Sequence, residues 1–157
     1  MKLKVKKTRV KTVGTLDIGM FHAHETLLYC DSCDAKRIYG SQDLVALTPP
    51  RCSFGYDVMV YIGKRTYLAC RNYNEILDEL KEKNLELSRD EIAYLSKKFI
   101  VYLAHVHHQS QQRIRNYMFE KGGYILHLDG TCEGDSPVLI SALDGMTEMV
   151  LENIKLS

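Results

Sequence analysis

The period of the chain changes at a glycine pair, in "EKGGYILHLD" (120–129), and this switch constrains the fold more than any other feature. Upstream, apolar residues recur at steps of three and four. Downstream they recur at steps of two. The first period belongs to a helix with one buried face and the second to a half-buried strand, and neither pattern satisfies the other geometry. Gly122 and Gly123 can adopt the positive φ that ends a helix. The expected fold class is therefore α+β, with helices leading into a β-meander.

The helical half is the more sharply written. In "LELSRDEIAYLSKKFIVYLAHVHHQS" (85–110), Ser88 and Glu91 form an S-x-x-E capping box. Ile92, Leu95, Phe99, Leu103 and Val106 then lie along one stripe. "QQRIRNYMFEKGG" extends that helix to the glycines. "NYNEILDELKEKN" (72–84) predicts a second helix with Ile76, Leu77 and Leu80 inward and Asn74 as N-cap. "YDVMVYIGKRTYLAC" (56–70) has helical spacing at Val58, Tyr61, Ile62 and Leu68, but enough β-branching to leave a strand open.

Towards the N-terminus, 14–29 leans to strands and 39–55 to a short helix and a loop around Pro49-Pro50. After the glycines, 124–129, 137–144 and 147–156 are expected as three antiparallel strands. The expected organisation is a cysteine-containing β module over 1–53, a helical region over 54–121 and a β-meander over 122–157.

Charge is informative through its distribution. The net charge is +1 over 157 residues, yet the first twelve carry six Lys or Arg and no acid, while the last thirty carry six acids and one Lys. Residues 1–12 are read as a basic arm facing a polyanion. No apolar run resembles a secretory signal or approaches the roughly 20 residues of a membrane span. Five cysteines without an export signal are expected as reduced thiols in a cytoplasm.

Four groups of residues bear on chemistry. Helices 72–84 and 88–109, joined by a short link, fit a helix-turn-helix, in which the second helix meets the major groove. Arg89, Tyr94, Lys97 and Lys98 would face DNA, with Arg113 and Arg115 further along. Cys30-x-x-Cys33 has the spacing of a zinc knuckle; Cys52 is the best third ligand, and His22 or His24 a fourth. The same cysteines also read as reduced, partly buried thiols. His105, His107 and His108 are read at a helix end, where the dipole suits a cation, and not as a metal site. Asp129 is expected to close a strand, where a carboxylate can hold Mg²⁺ beside substrate phosphates. Glu133 and Asp135, nearby, read as turn residues.

"FGYDVMVYIGK" (54–64), "NEILDELKEKNLELSRDEIAYLSKKF" (74–99) and "GGYILHLDGTCEGDS" (122–136), in that order, resemble the N-terminal part of a DDE-type insertion-sequence transposase. The resemblance implies a helix-turn-helix DNA-binding region followed by an RNase H-like catalytic domain. Asp129 would be the first catalytic carboxylate, on the first strand of that domain. It also implies double-stranded element-end DNA as partner, with self-association or pairing with the remaining transposase segment, and a prokaryotic, nucleoid-associated location.

The family's second aspartate and final glutamate have no counterpart here. Asp144 and Glu148 fall in or beside a turn and are not substitutes. The expectation is a truncated transposase, a remnant of one or a separately encoded N-terminal piece, binding DNA without cleaving it alone. Zn²⁺ would serve the cysteines, and Mg²⁺ only a catalytic domain completed elsewhere. The alternatives are a stand-alone helix-turn-helix regulator, or a zinc-ribbon interaction module that does not touch DNA.

Overall fold

The structure, a computed structural model, describes residues 3–30, 37–131 and 138–156. Among them the chain is mixed α+β, with two three-stranded antiparallel sheets and four helices. It divides into two compact units, Met1–Tyr102 and Leu103–Ser157, with the longest helix running through the boundary.

The first unit begins with a long hairpin. β1 (Leu3–Thr15) and β2 (Gly19–Cys30) pair from Thr15↔Gly19 out to Leu3↔Cys30, with a bulge between Val5 and Lys7. β3 (Ile38–Tyr39) adds to β2. The expected basic arm is therefore a strand. Residues 3–10 are all exposed, so the strand has no need of the apolar alternation that would have announced it. α1 (Gln42–Leu47) follows, and the Ser41 hydroxyl caps it by accepting from the Leu44 N–H at 3.2 Å.

Three helices form the core of this unit: α2 (Tyr56–Tyr67), α3 (Tyr73–Lys81) and α4 (Arg89–Glu120). Val58, Met59 and Ile62 from α2, Ile76 and Leu80 from α3, and Ile92 and Leu95 from α4 are almost completely buried together. Each such side chain contributes roughly 1.5–3 kcal/mol of transfer free energy. The helical reading of 56–70 holds because Val58, Met59 and Ile62 recur at helical spacing on the face turned to this core. A β-carbon on Gly63 would collide with the ring of Phe99, so glycine is what lets α2 approach α4 there.

The cap of α3 is Asn72 rather than Asn74. Its side chain accepts from the N–H groups of Asn74 and Glu75, both at 3.0 Å, and Glu75 Oε2 accepts from the Asn72 N–H at 3.2 Å. This N-x-x-E pair is the same device as Ser88 and Glu91, where each also serves the other's backbone N–H.

The hairpin and the helices are one unit because the closed end of the hairpin is tied to the helices. The Gly14 N–H donates to Ser53 O at 2.9 Å and the Gly55 N–H to Gly14 O at 2.8 Å. Asp57, at the start of α2, accepts from the Leu16 N–H at 2.7 Å. The Met20 N–H reaches Asn84 O at 3.3 Å. A boundary near residue 53 therefore does not separate compact bodies.

The second unit holds the end of α4 and a meander of β4 (Leu126–Thr131), β5 (Leu139–Asp144) and β6 (Val150–Lys155), in that spatial order. Gly122 and Gly123 take φ of 91° and 113°, and the Gly123 N–H closes the helix on Met118 O at 2.9 Å. Among the described residues no helix is long and apolar enough to cross a membrane.

Candidate nucleic-acid interface

α3 and α4 are joined by residues 82–88. After α3 the chain turns at Asn84, with φ of 55°, and inserts Leu85 fully into the core, its N–H returning to Leu80 O at 3.0 Å. The side chains of Tyr61 and Arg65 on α2 meet Glu79 on α3, at 2.6 and 2.9 Å. The pair α3–α4 is thus fixed by a buried turn and a shared core, and the polar clasp ties α3 to α2.

With Ile92 and Leu95 inward, helical geometry puts Tyr94 and Lys97 on the opposite side of α4. Both are exposed, as is Arg89 in the first turn. Lys98 is half-buried and already engaged: its ammonium donates to Pro50 O at 2.9 Å and to the Tyr94 hydroxyl oxygen at 3.1 Å. Asp90 and Glu91 occupy the first turn, where they suit the positive end of the helix dipole. Arg113 and Arg115 belong to the second unit, on the stretch of α4 that faces the sheet. Arg115 lines a cleft of about 340 Å³ with Ile114, Met118, Tyr124, Leu126 and Leu151. The sequence therefore yields two sets of cations. Arg89, Tyr94 and Lys97 share the first unit's exposed surface.

Asp129 lies within β4, which runs two residues past it to Thr131, rather than at a strand end. It is exposed and pairs with Ser141, which in turn pairs with Asn153. Its cross-strand neighbours thus bring no second carboxylate. Glu133 and Asp135 lie outside the described residues.

Asp144 is different in kind. It is fully buried and accepts from the N–H groups of Ile125, Met146 and Thr147 and from the Thr147 hydroxyl. The Thr147 hydroxyl first, then these N–H groups, hold its carboxyl below the usual range despite burial. It organises the β5–β6 turn, as its place in the sequence suggested. Glu148 sits in that turn with φ of 56°.

Of the sulfur ligands expected for zinc, Cys30 and Cys52 are not brought together. Cys30 ends β2 opposite Leu3, whereas Cys52 precedes Ser53, whose carbonyl holds Gly14 at the closed end of the hairpin. Ten residues of strand separate those levels, roughly 30 Å. Cys33 lies outside the described residues. His22 and His24 sit part-way along β2, and His22 Nδ1 contacts Thr12 Oγ1 at 3.1 Å. Among the described residues no three His, Cys, Asp or Glu side chains are grouped to hold a metal ion.

The three histidines of α4 are in mid-helix, because the helix continues to Glu120. His105 bonds Gln109 at 2.9 Å and His107 reaches Leu151 O at 3.2 Å. These contacts replace the helix-end role expected from their sequence position. Comparison of the chain with known protein families, with curated proteins and with solved structures finds no match.

Proposed function

We propose that this chain binds double-stranded DNA through the N-terminal half of α4, as the N-terminal part of a DDE-type transposase. The observation that carries the reading is the three-helix core, in which α3 and a buried turn brace α4 while Arg89, Tyr94 and Lys97 face solvent. That arrangement supports a helix-turn-helix. In it α4 enters the major groove, its cations neutralise phosphates, and the displaced counterions make affinity fall steeply with salt. Lys98 braces Tyr94, and Arg113 and Arg115 make a separate contribution.

The order β4–β5–β6, with Asp129 on the first strand, supports the RNase H-like half of the reading. Asp129 is the first of three carboxylates that would hold Mg²⁺, and its described neighbours do not complete that set. DNA cleavage by this chain alone is not expected, and Mg²⁺-dependent cleavage by the purified protein would overturn that. Zinc at Cys30 and Cys33 requires ligands other than Cys52. The exposure of every residue of β4 favours an unfinished sheet over the covered wing of a stand-alone regulator. A salt-titrated DNA-binding measurement tests the reading, and zinc binding without salt-dependent DNA affinity would favour an interaction module instead.

A further inference from the structure

The hairpin has one covered face and one bare face. Directly paired residues point to the same side of a sheet, so Thr8, Val10 and Thr12 of β1 share a face with His22, His24 and Thr26 of β2. All six are exposed. On the other face Val13, Glu25 and Leu27 are buried, Arg9 is bound to Glu25 at 2.6 Å, and Lys11 donates to Thr48 at 2.7 Å. The two faces therefore differ along the inner part of the hairpin: one packs around Val13, Glu25 and Leu27, and the other is exposed.

Its chemistry is specific. Five of its six side chains carry hydrogen-bonding groups, cross-strand pairs Thr8–Thr26 and Thr12–His22 fix four of them, and the face holds no acid. β1 carries five cations and no acid. Lys6 is the unpaired residue of the bulge in this edge strand, and Lys7, paired with Leu27, starts from the opposite face at the same bulge; both are exposed. A bulge re-aims the side chains around it, and lysine stems are long enough to carry an ammonium past the strand. The Glu25 carboxylate, the one acid of β2, is neutralised by Arg9.

We propose that the β1–β2 ribbon is a second DNA-contacting element: its Thr/His face lies in a groove while Lys6 and Lys7 meet phosphates on the groove wall. A major groove about 12 Å wide admits a two-stranded ribbon as readily as a helix. Threonine hydroxyls and imidazoles can bond to base edges or sugar-phosphate oxygens, and lysines act as point charges. This extends the DNA-binding reading to a surface outside α4 and rests on that reading only for the choice of duplex DNA as partner.

The test uses the full chain and a mixed-sequence duplex, with affinity measured by fluorescence anisotropy over a series of salt concentrations. Lys6→Ala/Lys7→Ala is expected to weaken binding and reduce the log–log salt slope by about two, one for each phosphate no longer neutralised. His24→Ala, a change at an exposed position, is expected to weaken binding with little change of slope. If Lys97→Ala weakens binding while both ribbon variants match wild type, the ribbon proposal fails and the α4 reading stands. If the ribbon variants weaken binding and Lys97→Ala does not, the reverse holds. Absence of DNA binding overturns both. Binding to vesicles of equal parts phosphatidylcholine and phosphatidylserine that depends on Lys6 and Lys7, without such an effect on DNA, assigns the ribbon to a membrane surface and overturns the proposal.

Discussion

The ring of Phe99 on α4 lies directly over the backbone of Gly63 on α2, where a β-carbon has no room. Tyr67, one turn further along α2, stacks on the same ring, with centroids 6.3 Å apart. The closeness of α2 and α4 depends on the missing side chain. Gly63→Val should therefore destabilise the first unit by about 1–3 kcal/mol through overpacking, outweighing any gain in helix propensity. Denaturant unfolding checks this, and an unchanged midpoint would show that the helices are not sealed at this position.

The Arg9–Glu25 pair gives the hairpin a pH dependence. The Arg9 guanidinium beside Glu25, then the Ser41 N–H, hold its carboxyl below the usual range. A lowered carboxylate contributes stability that is present above its unfolded pKa and is lost as pH falls through the folded one. Arg9→Ala should cost about 1–3 kcal/mol near neutrality by leaving a charged acceptor short of a donor. The gap between variant and wild type should close on acidification, as Glu25 takes up a proton in both. Thermal melts across pH test this, and a gap independent of pH would contradict it.

Asp144 anchors the β5–β6 turn through four accepted hydrogen bonds. Asp144→Ala should strip hydrogen-exchange protection from the amides of Ile125, Met146 and Thr147, while Asp144→Asn should retain part of it. Because its folded pKa is lowered, protection in wild type should fall only as pH drops through that lowered value. Protection in the alanine variant equal to wild type would remove Asp144 from this role.

Cys52 is placed away from Cys30 by the length of the hairpin. Metal analysis of wild type and Cys52→Ser should return the same zinc content, whatever its level. A fall in zinc in the variant would show that the two cysteines share an ion.

What is legible in the sequence follows from where burial writes a pattern. The period of α4, the Ser88–Glu91 box and the glycine stop can be read because the helix has a core face and defined ends. β1 cannot be read as a strand, since a ribbon exposed along residues 3–10 accepts Lys and Thr at any position. The N-x-x-E signal of the Asn72 cap is present in the sequence, but Asn74, two residues on, is an equally good capping residue type and masks it. Leu103 and Val106 continue the apolar stripe of Ile92 and Leu95, yet both are more than half exposed. Periodicity shows which face a residue occupies, and not whether anything covers it. The separation of Cys30 from Cys52 is invisible in the sequence because it depends on the length of a hairpin that leaves no apolar pattern.

The outward face of α4 in the first unit is the surface we propose to hold duplex DNA. This is tested most directly by the salt dependence of DNA affinity for wild type and Arg89→Ala/Lys97→Ala. Wild-type affinity should fall linearly with salt on logarithmic axes, and the variant should bind more weakly across all duplex sequences with a slope smaller by about two. A variant whose affinity and slope equal those of wild type would contradict it.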